Sequence, residues 1–301
     1  MFEYSLIPHS KLSGYAKADY EVIDYQMWKF NDMYYHLRGP RPENLEPGSY
    51  VVCLGAAQTF GRFTPNPYPK LLEMSLGVPV LNLGFAGVGI EFYLNSKLLQ
   101  LINNAALVVV QATSGRSLST SVFDCPDGGG TLSRRNGGEN EKPIFALEAW
   151  RSWMAEIEEQ NGGRNDISKQ VILELVNESR AIWVAQMIQL REAIKPKCIF
   201  FWFSKRSPKY EIHFGAPELV FGEFPQLIDE GCFKAADQIF DGTAICVTDR
   251  GSPQPLISRF TGRPHILNPA FKHPTSNAYY PSPEMHEDAA SALEPIIRSL
   301  I

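Results

Sequence analysis

The stretch Tyr50-Val-Val-Cys-Leu-Gly-Ala-Ala-Gln-Thr-Phe-Gly-Arg62 decides the fold. It opens on a short, near-continuous apolar run with two adjacent valines, the pattern of a strand buried on both faces, and glycine then turns the chain out of it. A helix is expected next from Tyr68 to Leu76, stopped by Gly77. The unit then recurs. Val78 to Leu83 leads into a helix expected from about Gly89 to Asn104. Ala106 to Ala112 carries three consecutive valines, Cys198 to Phe203 follows a long helix, and Ala244 to Thr248 is a fifth run. Apolar strands alternating with helices predict an α/β chain, a three-layer α/β/α domain around a parallel sheet of about five strands.

Outside these units the chain has three further segments. Residues 1–49 are aromatic-rich and end in turn-forming sequence from Gly39-Pro40 to Pro47-Gly48, which predicts an arm packed on a main domain spanning 50–301. Ile172, Leu175, Val176, Trp183, Met187, Leu190 and Ile194 recur at three- and four-residue spacing, so they share one face of a long helix from about Ile167 to Ile194, closed by Pro196. Between about 115 and 166 lies an insertion that starts Gly- and Asn-rich (CPDGGG, RRNGGEN) and holds a helix near Ile144 to Glu159. An excursion of this length at a strand's C-terminal end predicts a lid over a site.

The 301 residues are 44% hydrophobic and 20% charged with a net charge of −5, which gives no footprint for nucleic acid or an anionic membrane. The start, MFEYSLIPHSKLSGYAKADY, has no basic segment followed by an apolar run, and no stretch is long and apolar enough to span a bilayer. Five widely spaced cysteines without a CxxC pair suggest reduced core thiols, so a cytoplasmic location is expected and a metal site is not.

Open parallel sheets bind ligands where loops leave the C-terminal ends of their strands. The exits here are Leu54 to Arg62, Asn82 to Gly89 and Gln111 to Arg116, joined near the end by Asn277 to His286. The first loop ends in Gly61-Arg62-Phe63, so it lacks the lysine of a phosphate-gripping P-loop. Gly84, Gly87 and Gly89 follow a strand and open a helix, but their spacing is not that of a dinucleotide fingerprint; their amides suit an anion.

Taken in order, these segments resemble the SGNH (GDSL-type) hydrolases, a flavodoxin-like fold. Gly55-Ala56-Ala57-Gln58-Thr59-Phe60-Gly61 stands where that family has Gly-Asp-Ser-x-Thr-x-Gly. Asn82-Leu83-Gly84-Phe85-Ala86-Gly87 matches its Asn-x-Gly-x-x-Gly block. Asn277-x-x-Tyr280-Pro281-Ser282-x-x-Met285-His286 lines up with the block that carries its aspartate and histidine. The resemblance places Ala57 at the nucleophile, Tyr280 at the base and Asn277 at the orienting carboxylate. None of the three can do that work: alanine has no attacking atom, a phenol of ordinary pKa near 10 is a poor acceptor, and an amide does not stabilise an imidazolium. Thr113-Ser114-Gly115-Arg116 offers no oxyanion asparagine. A second resemblance, to a bacterial family of unknown function, runs through Leu37-Arg38-Gly39-Pro40, Thr59-Phe60-Gly61-Arg62-Phe63, Phe201-Trp202-Phe203-Ser204 and Tyr279-Tyr280-Pro281-Ser282, and assigns no activity.

The resulting expectation is an SGNH-like protein without a Ser-His-Asp triad. The preferred reading is a group transferase (acyl, sulfuryl or sugar-linked) acting on a saccharide or small metabolite. Tyr280, Ser114 and Asn277 are its catalytic candidates, and an activated donor such as acyl-CoA or a nucleotide donor is its co-substrate. Gln58, Thr59, Arg62, Asn82, Gly84 and Gly87 are the ligand-binding candidates, with Arg62 suited to a carboxylate or phosphate. The alternative is a non-catalytic binding module for a polar or carbohydrate ligand. His286 is expected at the start of the last helix rather than in the chemistry, and nothing in the sequence ties His213, His265 or His273 to the pocket.

Overall fold

The computed structural model describes residues 3–137, 142–214, 217–267 and 274–301. His273 therefore lies outside the described residues. Five parallel strands form the central sheet: β1 (Val51–Gly55), β2 (Val80–Gly84), β3 (Leu107–Gln111), β4 (Lys197–Ser204) and β5 (Gly242–Val247), each within a residue or two of the expected run. Their order is β5-β4-β3-β1-β2, with Val51 opposite both Val80 and Leu107, Val108 opposite Cys198, and Phe201 opposite Ala244. This is the flavodoxin-like order 2-1-3-4-5, in which the strand order reverses between β1 and β3 and opens a crevice at their C-terminal ends.

Among the described residues six helices of eight or more residues accompany the sheet: α1 (Tyr68–Leu76), α2 (Ser96–Asn103), α3 (Ala146–Gln160), α4 (Asp166–Ala193), α5 (Glu230–Asp237) and α6 (Pro283–Leu300). The strand period of two divides the core. Val52, Leu54, Val108, Val110, Phe200 and Trp202 face the layer of α2, α4 and α5, where Trp183, Met187 and Leu190 pack. Val51, Cys53, Val109, Phe201 and Phe203 face α1 and α6, meeting Leu72, Leu293 and Ile297. All five cysteines are buried thiols. Among the described residues no helix is long and apolar enough to cross a membrane.

One helix differs from expectation. The segment expected as a single helix from Gly89 to Asn104 is a 3-10 turn, Glu91–Leu94, followed by α2. Asn95 breaks it: its backbone at φ −59°, ψ 130° leaves the helical region, and its side chain caps α2 by accepting from Lys97 N–H at 3.1 Å.

Residues between β3 and α4 form a satellite core on the first half of α4. Trp150, Trp153 and Met154 of α3 pack there with Phe123 and Leu132 against Ile172, Leu175 and Val176. At the other end of the chain, Tyr4–Leu6 pairs antiparallel with Trp28–Phe30, and Trp28, Phe30 and Leu37 join the apolar layer beneath Val52 and Leu81. Arg38 is fully buried there. It donates to the carbonyl oxygens of Tyr25 (2.8 Å), Gly39, Thr64 (3.1 Å) and Pro65 (3.2 Å), and burial pushes its pKa down to about 10.

Candidate functional site

The C-terminal edge of the sheet opens into a cavity of about 760 Å³. Its wall at the β1 exit is Ala56, Ala57 and Gln58; Phe85 to Val88 contribute from the β2 exit, and Ser114 and Arg116 from the β3 exit. Ser13 to Ala16 and Met27 close it from the N-terminal segment, Phe145 to Glu148 from the start of α3, and Tyr279 with Tyr280 from the loop before α6. A second cavity of about 510 Å³ adjoins it, sharing Gln58, Leu147, Phe224 and Tyr279, and running on toward Tyr210 and His213. Both volumes fall in the range of small-molecule sites.

Several expected ligand residues serve the framework. Thr59 is fully buried, with Oγ1 2.8 Å from Gln111 Oε1 and 2.9 Å from Tyr68 OH, and Gln111 Oε1 also accepts from Ala56 N–H at 3.1 Å. Asn82 accepts from Gly84 N–H (2.8 Å) and donates to Thr59 O (2.9 Å). Gly84 lets the helical turn Ala57–Phe60 lie on β2, since a Cβ there would stand 2.1 Å from Phe60 N. Gly87, at φ +75°, lies against Gly130, and Gly89 N–H is taken by Gly128 O at 2.8 Å. Asn277 shapes its own loop, accepting from Tyr279 and Tyr280 N–H (3.1 and 2.9 Å) and donating to Tyr280 O (3.0 Å).

Arg62 ties the N-terminal segment to the sheet edge. Its Nε and Nη2 grip the two oxygens of Asp19 at 2.8 and 2.9 Å, and Nη1 donates to Tyr280 OH at 3.1 Å. Its carbon lies 3.8 Å from the centre of the Tyr15 ring. Asp19 has no solvent exposure and also accepts from Tyr25 OH at 2.8 Å. Burial works against the guanidinium's charge, but the Asp19 bonds, Tyr280 and Tyr15 outweigh it and hold the pKa above the ordinary value. The next residue, Phe63, sits at φ +65°, a rarely occupied conformation, with its N–H donating to Tyr25 OH at 3.1 Å.

Tyr280 and Ser114 both line the cavity, with Ala57 between the strand exits. The Tyr280 hydroxyl shares a 2.7 Å hydrogen bond with Tyr15 OH in addition to the one from Arg62. Burial, with the Tyr15 phenol beside it, pushes Tyr280 further above the usual tyrosine pKa, against the opposing pull of Arg62. Ser114 donates to Gln226 Oε1 (3.0 Å), and Gln226 Nε2 donates to Tyr279 OH (3.1 Å). An amide cannot take a proton from that serine.

Among the described residues no histidine lines this cavity. His286 is fully buried between Tyr68 and Phe203, its Nδ1 accepting Tyr68 N–H at 3.1 Å, and burial followed by the nearby Arg38 charge holds its pKa down to about 3. His213 lines the adjoining cavity instead. Among the described residues no three His, Cys, Asp or Glu side chains come close enough to hold a metal. Two residues matter that sequence reading passed over. In the sequence Arg116 marks a block without an oxyanion asparagine, yet it is the first cation after the β3 exit. Tyr15 came from the N-terminal segment, where no spacing links it to Tyr280.

Fold and site together define an α/β protein with a deep, largely apolar cavity at the switch point of its sheet. Residues 14–125 match a family described as a domain of unknown function (DUF6473). No curated protein matches the chain. Three solved structures are similar in architecture. One is a carbohydrate esterase family 2 enzyme with a carbohydrate-binding domain from Corynascus thermopiles (Myceliophthora fergusii), 10% identical with a TM-score of 0.43, over 91% of this chain and 70% of that one. Another is the lipase Lip_vut3 from a goat rumen metagenome, 13% identical with a TM-score of 0.39, over 81% and 96%. The third is a family two carbohydrate esterase from Clostridium thermocellum in complex with cellohexaose, 9% identical with a TM-score of 0.36, over 91% and 69%.

Proposed function

We propose that this protein is a ligand-binding relative of the SGNH hydrolases, which holds a small molecule in the 760 Å³ cavity and does not hydrolyse esters. The observation that carries the reading is the pairing of a large cavity with the absence, among its lining residues, of a nucleophile bonded to a base. Ala57 has no attacking atom, the Tyr280 phenol is bonded to Arg62 and Tyr15, and the Ser114 hydroxyl is bonded to an amide. Serine-type chemistry needs the base within hydrogen-bond reach of the nucleophile. On this reading residues 1–49 form a fixed wall, the 115–166 segment covers the cavity, and the five buried thiols suit a reducing, cytoplasmic compartment.

The test is a thermal-shift screen of amphipathic small molecules on the parent and on Ala57→Phe, whose ring fills the cavity from within. A ligand specific for the folded state stabilises it by about 2.7 kcal/mol at a hundredfold excess over Kd. The expected result is a shift in the parent that Ala57→Phe loses, with p-nitrophenyl ester hydrolysis at the buffer rate for both. Ester turnover that Ala57→Phe abolishes would overturn the proposal.

A second reading, group transfer, draws support from the adjoining cavity: two compartments meeting at Gln58 and Tyr279 give room for donor and acceptor. It predicts that acyl-CoA or a nucleotide donor shifts the melt and is consumed when an acceptor is added.

A further inference from the structure

Arg116 is paired differently from the core arginines of this protein. Arg62 and Arg191 grip the carboxylates of Asp19 and Asp241, Arg180 holds Asp229, and Arg38 and Arg206 donate to several backbone carbonyls. The Arg116 guanidinium has no hydrogen-bond or ion-pair partner among the described residues, and its Nε is buried. Its backbone is nevertheless fixed. Trp150 Nε1 donates to Arg116 O at 3.1 Å, Arg116 N–H donates to Ser114 Oγ at 3.3 Å, and Gly115 N–H donates to Gln226 O at 2.9 Å. A pinned loop therefore presents an unpaired cation to the cavity.

A second polar group in the same wall is also unsatisfied. Gln58 is 3% exposed, and its Oε1 is buried without a donor. Leaving such groups unpaired is costly, and a ligand that pairs them recovers that cost. The charged residues of the lining are Arg116, Arg151 and Glu148. Glu148 and Arg151 are exposed, so the half-buried cation is Arg116. The wall around these groups is apolar: Met27, Phe85, Val88, Phe145 and Leu147.

We propose that Arg116 is the anchor for an oxyanion, a carboxylate or a phosphate, on a ligand whose apolar body lies against Phe85, Val88 and Phe145, with the Gln58 amide bonding a neutral polar group of the same ligand. This rests on the reading of the cavity as a binding site and names its ligand class. A guanidinium fork matches the two oxygens of such a group, and the bond is charge-assisted.

The experiment measures affinity by calorimetry for 4-phenylbutyrate, its neutral amide and phenyl phosphate, on the parent, Arg116→Gln, Arg116→Lys and Ala57→Phe. The acid, the phosphate or both should bind the parent about tenfold or more tighter than the amide, the size expected of one hydrogen-bonded charge. That preference should vanish in Arg116→Gln and persist, weakened, in Arg116→Lys. The tighter of the two anions identifies the head group. If amide and acid bind equally and Ala57→Phe removes both, the anchor is wrong while the cavity reading stands. If no probe binds the parent, or Ala57→Phe binds as the parent does, both are wrong. Should Arg116→Gln melt early, the acid-over-amide ratio in Arg116→Lys and in the parent still decides the matter.

Discussion

Replacing Arg62 with methionine separates a structural role from a ligand-binding one. The side chains of Arg62 and Asp19 are 13% and 0% exposed, so solvent screens their bidentate pair little. Arg62→Met strips the Asp19 carboxylate of two charge-assisted bonds and leaves it buried with the Tyr25 hydroxyl. Removing one partner of a buried pair costs about 3–5 kcal/mol because the surviving charge is uncompensated. For a chain of this size, that corresponds to a drop of roughly 5–8 °C in melting temperature. The Asp19→Asn/Arg62→Met double variant should melt above Arg62→Met, since the stranded charge is gone. The assay is a calorimetric melt of the parent and both variants at neutral pH, with 4-phenylbutyrate affinity measured well below the transition. Arg62→Met should keep its affinity within about threefold, less than one hydrogen bond's worth. A variant that melts within about 2 °C of the parent but loses tenfold in affinity would refute the clamp and return Arg62 to the ligand.

His286 sets a pH dependence. The unfolded chain takes up its imidazole proton near pH 6.5 and the folded protein only at about pH 3, so between those values the unfolded state binds more protons and stability falls as pH drops. From about pH 7.5 to about pH 5 the loss from this residue is about 2 kcal/mol. Urea unfolding across that range should show a shallower decline in His286→Gln than in the parent; equal slopes would contradict the burial of a neutral imidazole. Restoring the missing nucleophile alone should achieve nothing, because the Tyr280 phenol is no base: Ala57→Ser should hydrolyse p-nitrophenyl acetate no faster than the parent, and a clear rate would show that another group accepts the proton.

The sheet was legible because strands buried on both faces have to be largely apolar, and the strands at Val51–Gly55, Leu107–Gln111 and Lys197–Ser204 carry that signature apart from polar residues at their ends. The α4 helix was equally plain from the face that runs from Ile172 to Leu190. The break at Asn95 was not, since a single capping residue inside an apolar periodicity looks like an exposed polar position. In the site, order along the chain brought Ala57, Gln58, Ser114 and Tyr280 to one cavity, because loops at the C-terminal ends of neighbouring strands must converge. What sequence could not say is which polar side chains were already engaged. Thr59, Asn82, Asn277 and Arg62 are bonded within the protein, while Arg116 and Gln58 keep unpaired polar atoms, and that difference rests on partners distant in the chain such as Asp19.

The most direct test of the account is a structure of the protein grown with 4-phenylbutyrate. The account predicts the carboxylate within hydrogen-bond distance of the Arg116 guanidinium and the phenyl ring against Phe85, Val88 and Phe145. A ligand found elsewhere, or lying in the cavity with its carboxylate on Arg62 and Arg116 still unpaired, would contradict it.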